Sequence, residues 1–119
     1  DAHSKNFSFL YSAKERRLAP LYDQVCTLAW PELSKHLSMK IGTAGTLAEV
    51  SPEHFQQLAK IAGLSWPMVR QRVKEMADRL AEACRRFDES PEGEATAQVP
   101  RVIVLERAER MARLAQRAS

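Results

Sequence analysis

The sequence predicts a mainly α chain with one short β-hairpin near its N-terminus. Three observations carry this expectation. Apolar residues recur at steps of three and four from about residue 51 onward, each run opened or closed by a capping residue. Phe7, Phe9 and Tyr11 alternate with other residues as a strand requires. Pro31, Gly63, Pro91 and Gly93 fall at breaks between runs.

Residues 1–6 are polar and read as a loop. Residues 7–11 suit a strand, 12–17 a polar turn, and 18–22 a returning strand that Pro20 confines to an edge or an irregular position. Residues 23–29 predict a short helix that stops near Pro31, and Leu37, Met39 and Ile41 alternate in a brief extended segment. Ser51 is an N-cap, with Pro52 in the first helical turn, where its missing N–H costs nothing. Phe55, Leu58, Ala59 and Ala62 form one face of that helix, and Gly63 ends it. Ser65 caps a longer helix to about Phe87, with Val69, Val73, Met76, Leu80, Ala83 and Phe87 as its core stripe. Residues 88–99 read as a loop. A last helix covers about 101–117, with Leu105, Ala108, Met111, Ala112 and Ala115 inward. Trp30, Phe55, Trp66 and Phe87 are expected in the core.

The chain has 119 residues, enough for one compact domain. Its 45% hydrophobic and 28% charged content is ordinary for a globular protein, and no apolar run approaches a membrane span. The net charge of +3 permits nucleic-acid contact without arguing for it, because acids and bases are interleaved. Cys26 and Cys84 form no metal-type cluster and are expected as buried thiols in a reducing cytoplasm. His36 and His54 have no partner at metal-ligand spacing. Because it opens on Asp1 and not on methionine, the chain is expected to be a piece of a longer protein.

The chemistry concentrates in the first 23 residues. Asp1 and Asn6 stand five positions apart, the spacing at which protein kinases place a proton-accepting Asp and a metal-binding Asn on one tight loop. Asp23 follows the hairpin and offers a second hard oxygen ligand of the kind Mg²⁺ prefers. The full string Asp-Ala-His-Ser-Lys-Asn-Phe-Ser, with Leu-Ala-Pro-Leu-Tyr-Asp after it, resembles the catalytic loop and metal-binding segment of bacterial HipA-family toxin kinases. Trp-Pro-Glu-Leu and Ser-Met-Lys-Ile-Gly extend the likeness to about residue 45, and it continues weakly to about 87.

The resemblance implies a helical C-terminal lobe of a HipA-like kinase fold. Residues 1–23 would be the catalytic loop, hairpin and metal-binding Asp, and 24–119 the helical lobe. It makes Asp1 the catalytic base, lines the nucleotide site with His3, Ser4, Lys5 and Asn6, and gives magnesium to Asn6 and Asp23. The implied cofactors are ATP and Mg²⁺, the substrate a protein Ser or Thr hydroxyl, the partner a helix-turn-helix antitoxin, and the setting the cytoplasm. Asp23 lies between Tyr22 and Gln24, so the Asp-Phe-Gly triplet of other kinases is absent. No Gly-x-Gly-x-x-Gly loop or Val-Ala-Ile-Lys strand is present either, so the isolated chain is expected not to transfer phosphate.

A second reading stands beside this one. Ala59, Gly63 and Val69 have helix-turn-helix spacing within residues 51–80, and Arg70, Arg72 and Lys74 could reach DNA phosphates or base edges. Against it, Trp66 and Pro67 occupy the start of the would-be recognition helix, and Glu75 and Asp78 dilute its basic face. An αα-hairpin with a solvated charged face is the preferred alternative.

Overall fold

The computed structural model describes residues 2–92 and 98–118. Among the described residues, two antiparallel hairpins precede three long helices: β1 (Phe9–Tyr11) with β2 (Arg16–Leu18), β3 (His36–Ile41) with β4 (Ala44–Thr46), then α1 (Pro52–Ile61), α2 (Trp66–Asp88) and α3 (Gln98–Arg117). The mainly α fold with an N-terminal hairpin is therefore present. No helix among the described residues is long and apolar enough to cross a membrane.

The first hairpin is tighter than its sequence suggests. Phe9 pairs with Leu18 and Tyr11 with Arg16, so the return strand is 16–18 and not 18–22. Ser12 is the reason. Its N–H donates to the Glu15 carbonyl at 2.9 Å, and its Oγ accepts from the Glu15 N–H at 3.1 Å, closing the turn early. Pro20, lacking an N–H, then ends the pairing. The helix expected over 23–29 shrinks to one 3-10 turn, Thr27–Ala29. Asp23 sits at φ 54°, outside the helical region, and so bars a helix from starting there.

The second hairpin bears on α1. Gly42 turns it at φ 57°, and a Cβ there would lie 2.5 Å from Gln57 Oε1 and 2.7 Å from the His54 carbonyl oxygen. The same Gln57 oxygen accepts from the Thr43 N–H at 2.9 Å. The Glu49 carboxylate accepts from the N–H groups of Gly45 at 2.8 Å and Thr46 at 3.2 Å, tying β4 to the chain that enters α1. Those two backbone bonds hold the Glu49 carboxyl below its ordinary value of 4.5.

α1 begins and ends where its capping residues dictate. Ser51 is extended, and its N–H donates to His54 Nδ1 at 3.1 Å, so a histidine takes the place Glu or Gln holds in the usual capping box. At the other end Gly63 adopts φ 67°, with Leu64 N–H on the Ala59 carbonyl at 2.8 Å and Gly63 N–H on Lys60 at 3.3 Å, a Schellman motif. α2 then starts after Ser65 and runs to Asp88.

The core lies between α2 and α3, the most extensive contact of the fold. Its seam is made of alanines: Ala77 and Ala81 from α2, Ala108 and Ala115 from α3, all buried. Ion pairs Arg85–Glu109 at 2.7 Å and Arg101–Asp88 at 2.6 Å fix the helices lengthwise. Arg110 reaches across to the carbonyl oxygens of Leu47 at 3.0 Å and Ala48 at 2.9 Å, bolting α3 to the β4–α1 connection.

This arrangement corrects the expected stripe on α2. Met76 is 68% exposed, Leu80 47% and Phe87 41%, whereas Ala77 and Ala81 are buried. Small residues allow the two backbones to approach, so α3 settles on the alanines and the larger side chains are left on an adjacent face. Trp30, at 44% exposed, is likewise not a core residue; Phe55 and Trp66 are half-buried at the junction of the three helices. The inward residues expected for the last helix hold, with Ala108 and Ala115 buried and Leu105, Met111 and Ala112 half-buried.

Two measurements test this packing. Ala81→Leu overfills the seam and is expected to cost about 1–3 kcal/mol in urea unfolding, while Met76→Gln changes stability by less than about 0.5 kcal/mol. The reverse order would place the core on the larger residues. Because the Glu49 pKa is lowered by folding, its contribution is complete above pH 4.5 and is lost as pH falls through the folded value. Glu49→Gln should therefore flatten the acid limb of a stability–pH profile and leave its shape above about pH 6 unchanged.

Candidate functional site

The first residues form a single 3-10 turn, Ser4–Asn6, held by Asn6 N–H on the His3 carbonyl at 2.9 Å and Phe7 N–H on Ser4 at 3.3 Å. This turn directs Asn6 inward, where it is 4% exposed and the buried polar residue of the described core. The hairpin β1–β2 carries the chain out and back to the same place. Ala19 N–H donates to the Ser8 carbonyl at 2.8 Å as the chain returns. Asn6 Nδ2 then donates to the backbone carbonyl of Asp23 at 3.3 Å, across 17 positions of sequence.

Tyr22 braces this meeting. Its Oη donates to the Lys5 carbonyl at 3.0 Å and lies 2.9 Å from Ser8 Oγ, whose hydroxyl therefore donates to it. One phenol thus joins the turn, the start of the hairpin and its exit. Asp23 follows in the left-handed region at φ 54°, a conformation that Asp tolerates better than most residues. Gln24 Nε2 caps the Tyr22 carbonyl at 3.0 Å. Sequence reasoning missed these bracing roles of Tyr22 and Gln24; the signal available was only their position flanking Asp23.

Of the predicted site residues, Asn6 and Asp23 are brought together. Ser4 and Lys5 are exposed on the turn, and His3 is half-buried beside it. Asp1 lies outside the described residues. Among the described residues no group of three or more His, Cys, Asp and Glu side chains gathers to hold a metal. Magnesium on a nucleotide does not need one, since it takes one or two protein oxygens, phosphate oxygens and water. Asn6 and Asp23 carry oxygens of the type such a site uses, and the contact between them runs from the Asn6 amide nitrogen to the Asp23 backbone carbonyl.

The remaining candidates behave as structural groups. Both cysteines are free thiols and half-buried. Burial, with help from Asp88, pushes the Cys84 thiol up and away from thiolate chemistry. His36 is bonded to Ser34 at 3.2 Å, and His54 serves the α1 cap. The basic residues of the helix-turn-helix reading have partners of their own. Arg70 donates to the Ala118 carbonyl at the end of α3, Arg72 pairs with Glu75 at 2.9 Å, and Lys74 with Asp78 at 2.6 Å. Arg70 is half-buried by that contact and is withdrawn from the outer face of α2.

Comparison with known proteins places this site in context. Residues 1–86 match the model of the HipA-like C-terminal domain. A relative from Sinorhizobium fredii (strain NBRC 101917 / NGR234), named "Putative kinase Y4mE", is 46% identical over 86 residues, or 72% of this chain. The aligned segment spans only 20% of that relative's length. No solved structure matches the chain. The family match ends inside α2, so α3 lies beyond it. With its Asp–Asn loop, hairpin and returning Asp all inside the matched residues, the chain belongs to the family of HipA-like C-terminal domains.

Proposed function

We propose that the chain is the catalytic-loop end of an ATP-dependent serine/threonine kinase, whose intact form transfers the γ-phosphate of ATP to a protein hydroxyl. The observation that carries this reading is the bond from Asn6 to the Asp23 backbone, which joins the two expected metal ligands across the hairpin. The name of the Sinorhizobium relative supports the same reaction class.

The roles follow from the chemistry of the groups. Asp1 orients the acceptor hydroxyl and takes its proton as the oxygen attacks phosphorus. The Asn6 amide oxygen and the Asp23 carboxylate are the groups that would hold magnesium beside the nucleotide. Magnesium, when bound, neutralises charge on the transferring phosphoryl group. Tyr22 keeps the two ligand-bearing segments in register through its bonds to Lys5 and Ser8. His3, Ser4 and Lys5, on the turn between Asp1 and Asn6, face the nucleotide in this reading. A phosphate-binding loop and a strand lysine must come from outside these residues, so the isolated chain is inactive. A type II toxin–antitoxin role in the cytoplasm, with a small helix-turn-helix protein as partner, is part of the same proposal.

DNA binding by residues 51–80 is the weaker reading, because Arg70 is turned onto α3 and Arg72 and Lys74 are neutralised within α2.

Phosphate transfer from labelled ATP with Mg²⁺ tests the kinase reading on the intact gene product. Asp1→Asn should lower the rate by about 10²–10⁴-fold, and Asp23→Asn should raise the magnesium concentration needed for half-maximal rate. Tyr22→Phe should shift the magnesium requirement in the same direction by a smaller factor, because it loosens the ligands without removing one. An intact product that labels no protein, itself included, would sink the proposal.

A further inference from the structure

α2 carries an apolar stripe that the fold covers only in part. Trp66, Val73, Leu80 and Phe87 stand seven apart, with Val69, Met76 and Ala83 between them. Steps of three and four in strict alternation suit a helix that meets another helix along one seam. The first half of the stripe has such neighbours. Trp66 and Val73 line the junction of the three helices, and Val69 is half-buried beside them. α1 has ten residues against the 23 of α2, so it accompanies only the first part of the longer helix. α3 lies on the side of Ala77 and Ala81. Met76, Leu80, Ala83 and Phe87 are left exposed, a row of roughly 16 Å at the helical rise.

The flank of this row gives the missing neighbour a chemistry. Arg72, Arg79 and Arg86 also repeat at seven, each one position before Val73, Leu80 or Phe87. The buried Ala77 and Ala81 each follow a row residue by one position. One residue turns a helix by about 100°, so the arginines border the row on the side away from α3. Glu75 and Glu82 lie farther round, where they pair with Arg72 at 2.9 Å and Arg86 at 3.0 Å. Exposed pairs of this kind exchange partners at little cost. Arg79, between them, forms no ion pair among the described residues. A second copy of the chain does not suit this flank. Laid antiparallel, two such helices bring their arginine lines together; laid parallel, each line meets the side that α3 already occupies.

We propose that the row docks an amphipathic helix of a partner protein, apolar along its seam and acidic along the flank that meets Arg72, Arg79 and Arg86. The apolar row supplies the contact area, and the arginines select acidic partners over basic ones. The surface lies on the helix pair, away from the Asn6–Asp23 loop, and does not rest on the kinase reading.

Fluorescence anisotropy with the 119-residue chain, repeated with the intact gene product, tests the surface. The probe is a labelled three-heptad peptide with leucines on its seam and glutamates on both flanks; its twin carries lysines on the flanks. The acidic peptide is expected to bind saturably, at least about tenfold tighter than its twin at low salt, with the difference shrinking as salt is raised. Replacing both row residues, Met76→Gln with Leu80→Gln, should weaken binding by at least about tenfold. The urea midpoint should stay unchanged, because both side chains are already exposed. Arg79→Glu should weaken the acidic peptide and leave the lysine twin no weaker. Absence of saturable binding, or equal binding of the two peptides, would overturn the proposal. So would a dimer in sedimentation that the Met76→Gln, Leu80→Gln pair dissolves, since the row would then hold a second copy. Binding by the 119-residue chain that the intact product lacks would overturn it as well, because the product's own residues would then cover the row.

Discussion

The close approach of α2 and α3 through buried alanines is the contact on which the rest of the structure depends. Ala77, Ala81, Ala108 and Ala115 contribute little apolar area each, yet their small size lets two long helices pack against each other along their length. Once they do, Arg110 is delivered to the Leu47 and Ala48 carbonyls, and the β3–β4 hairpin is anchored to the helices. Arg70 and the Ala118 carbonyl close the far end. The residues shared with the family supply one half of this seam; α3, beyond the family match, supplies the other.

The site is assembled by a different device. Every residue of β1 and β2 is exposed. What fixes the loop is a set of polar bonds that converge on the hairpin's base: Asn6 to Asp23, Tyr22 to Lys5 and Ser8, Gln24 to Tyr22. Directional bonds suit this purpose, because they set the relation of the two segments more closely than apolar contact does. Asp23 in the left-handed region is part of the same arrangement, since it ends the return of the chain beside Asn6 and prevents a helix from following.

The apolar surface is distributed unevenly. The seam and three-helix junction bury mostly small residues, while Met76, Leu80 and Phe87 form an exposed row on α2 and Phe9, Leu10 and Tyr11 an exposed hairpin strand. Apolar faces of this size mark surfaces of contact more often than inert exterior.

Local chemistry alone determined much of this protein. The boundaries of α1 follow from Ser51, Pro52 and Gly63, because caps satisfy end groups that no distant residue need touch. The loop that carries Asn6 was equally legible, from the Asp–Asn spacing with its flanking string. Tertiary structure decided the rest. Periodicity ranks residues by apolarity and so chose Met76, Leu80 and Phe87 for the core, but the distance between two helix axes favours the smallest residues, and alanines won. The meeting of Asn6 with the Asp23 backbone, the brace of Tyr22 and the capture of Arg70 by α3 join positions 14 to 48 apart in sequence. Those pairings exist only once the chain has returned on itself, and no local pattern encodes them.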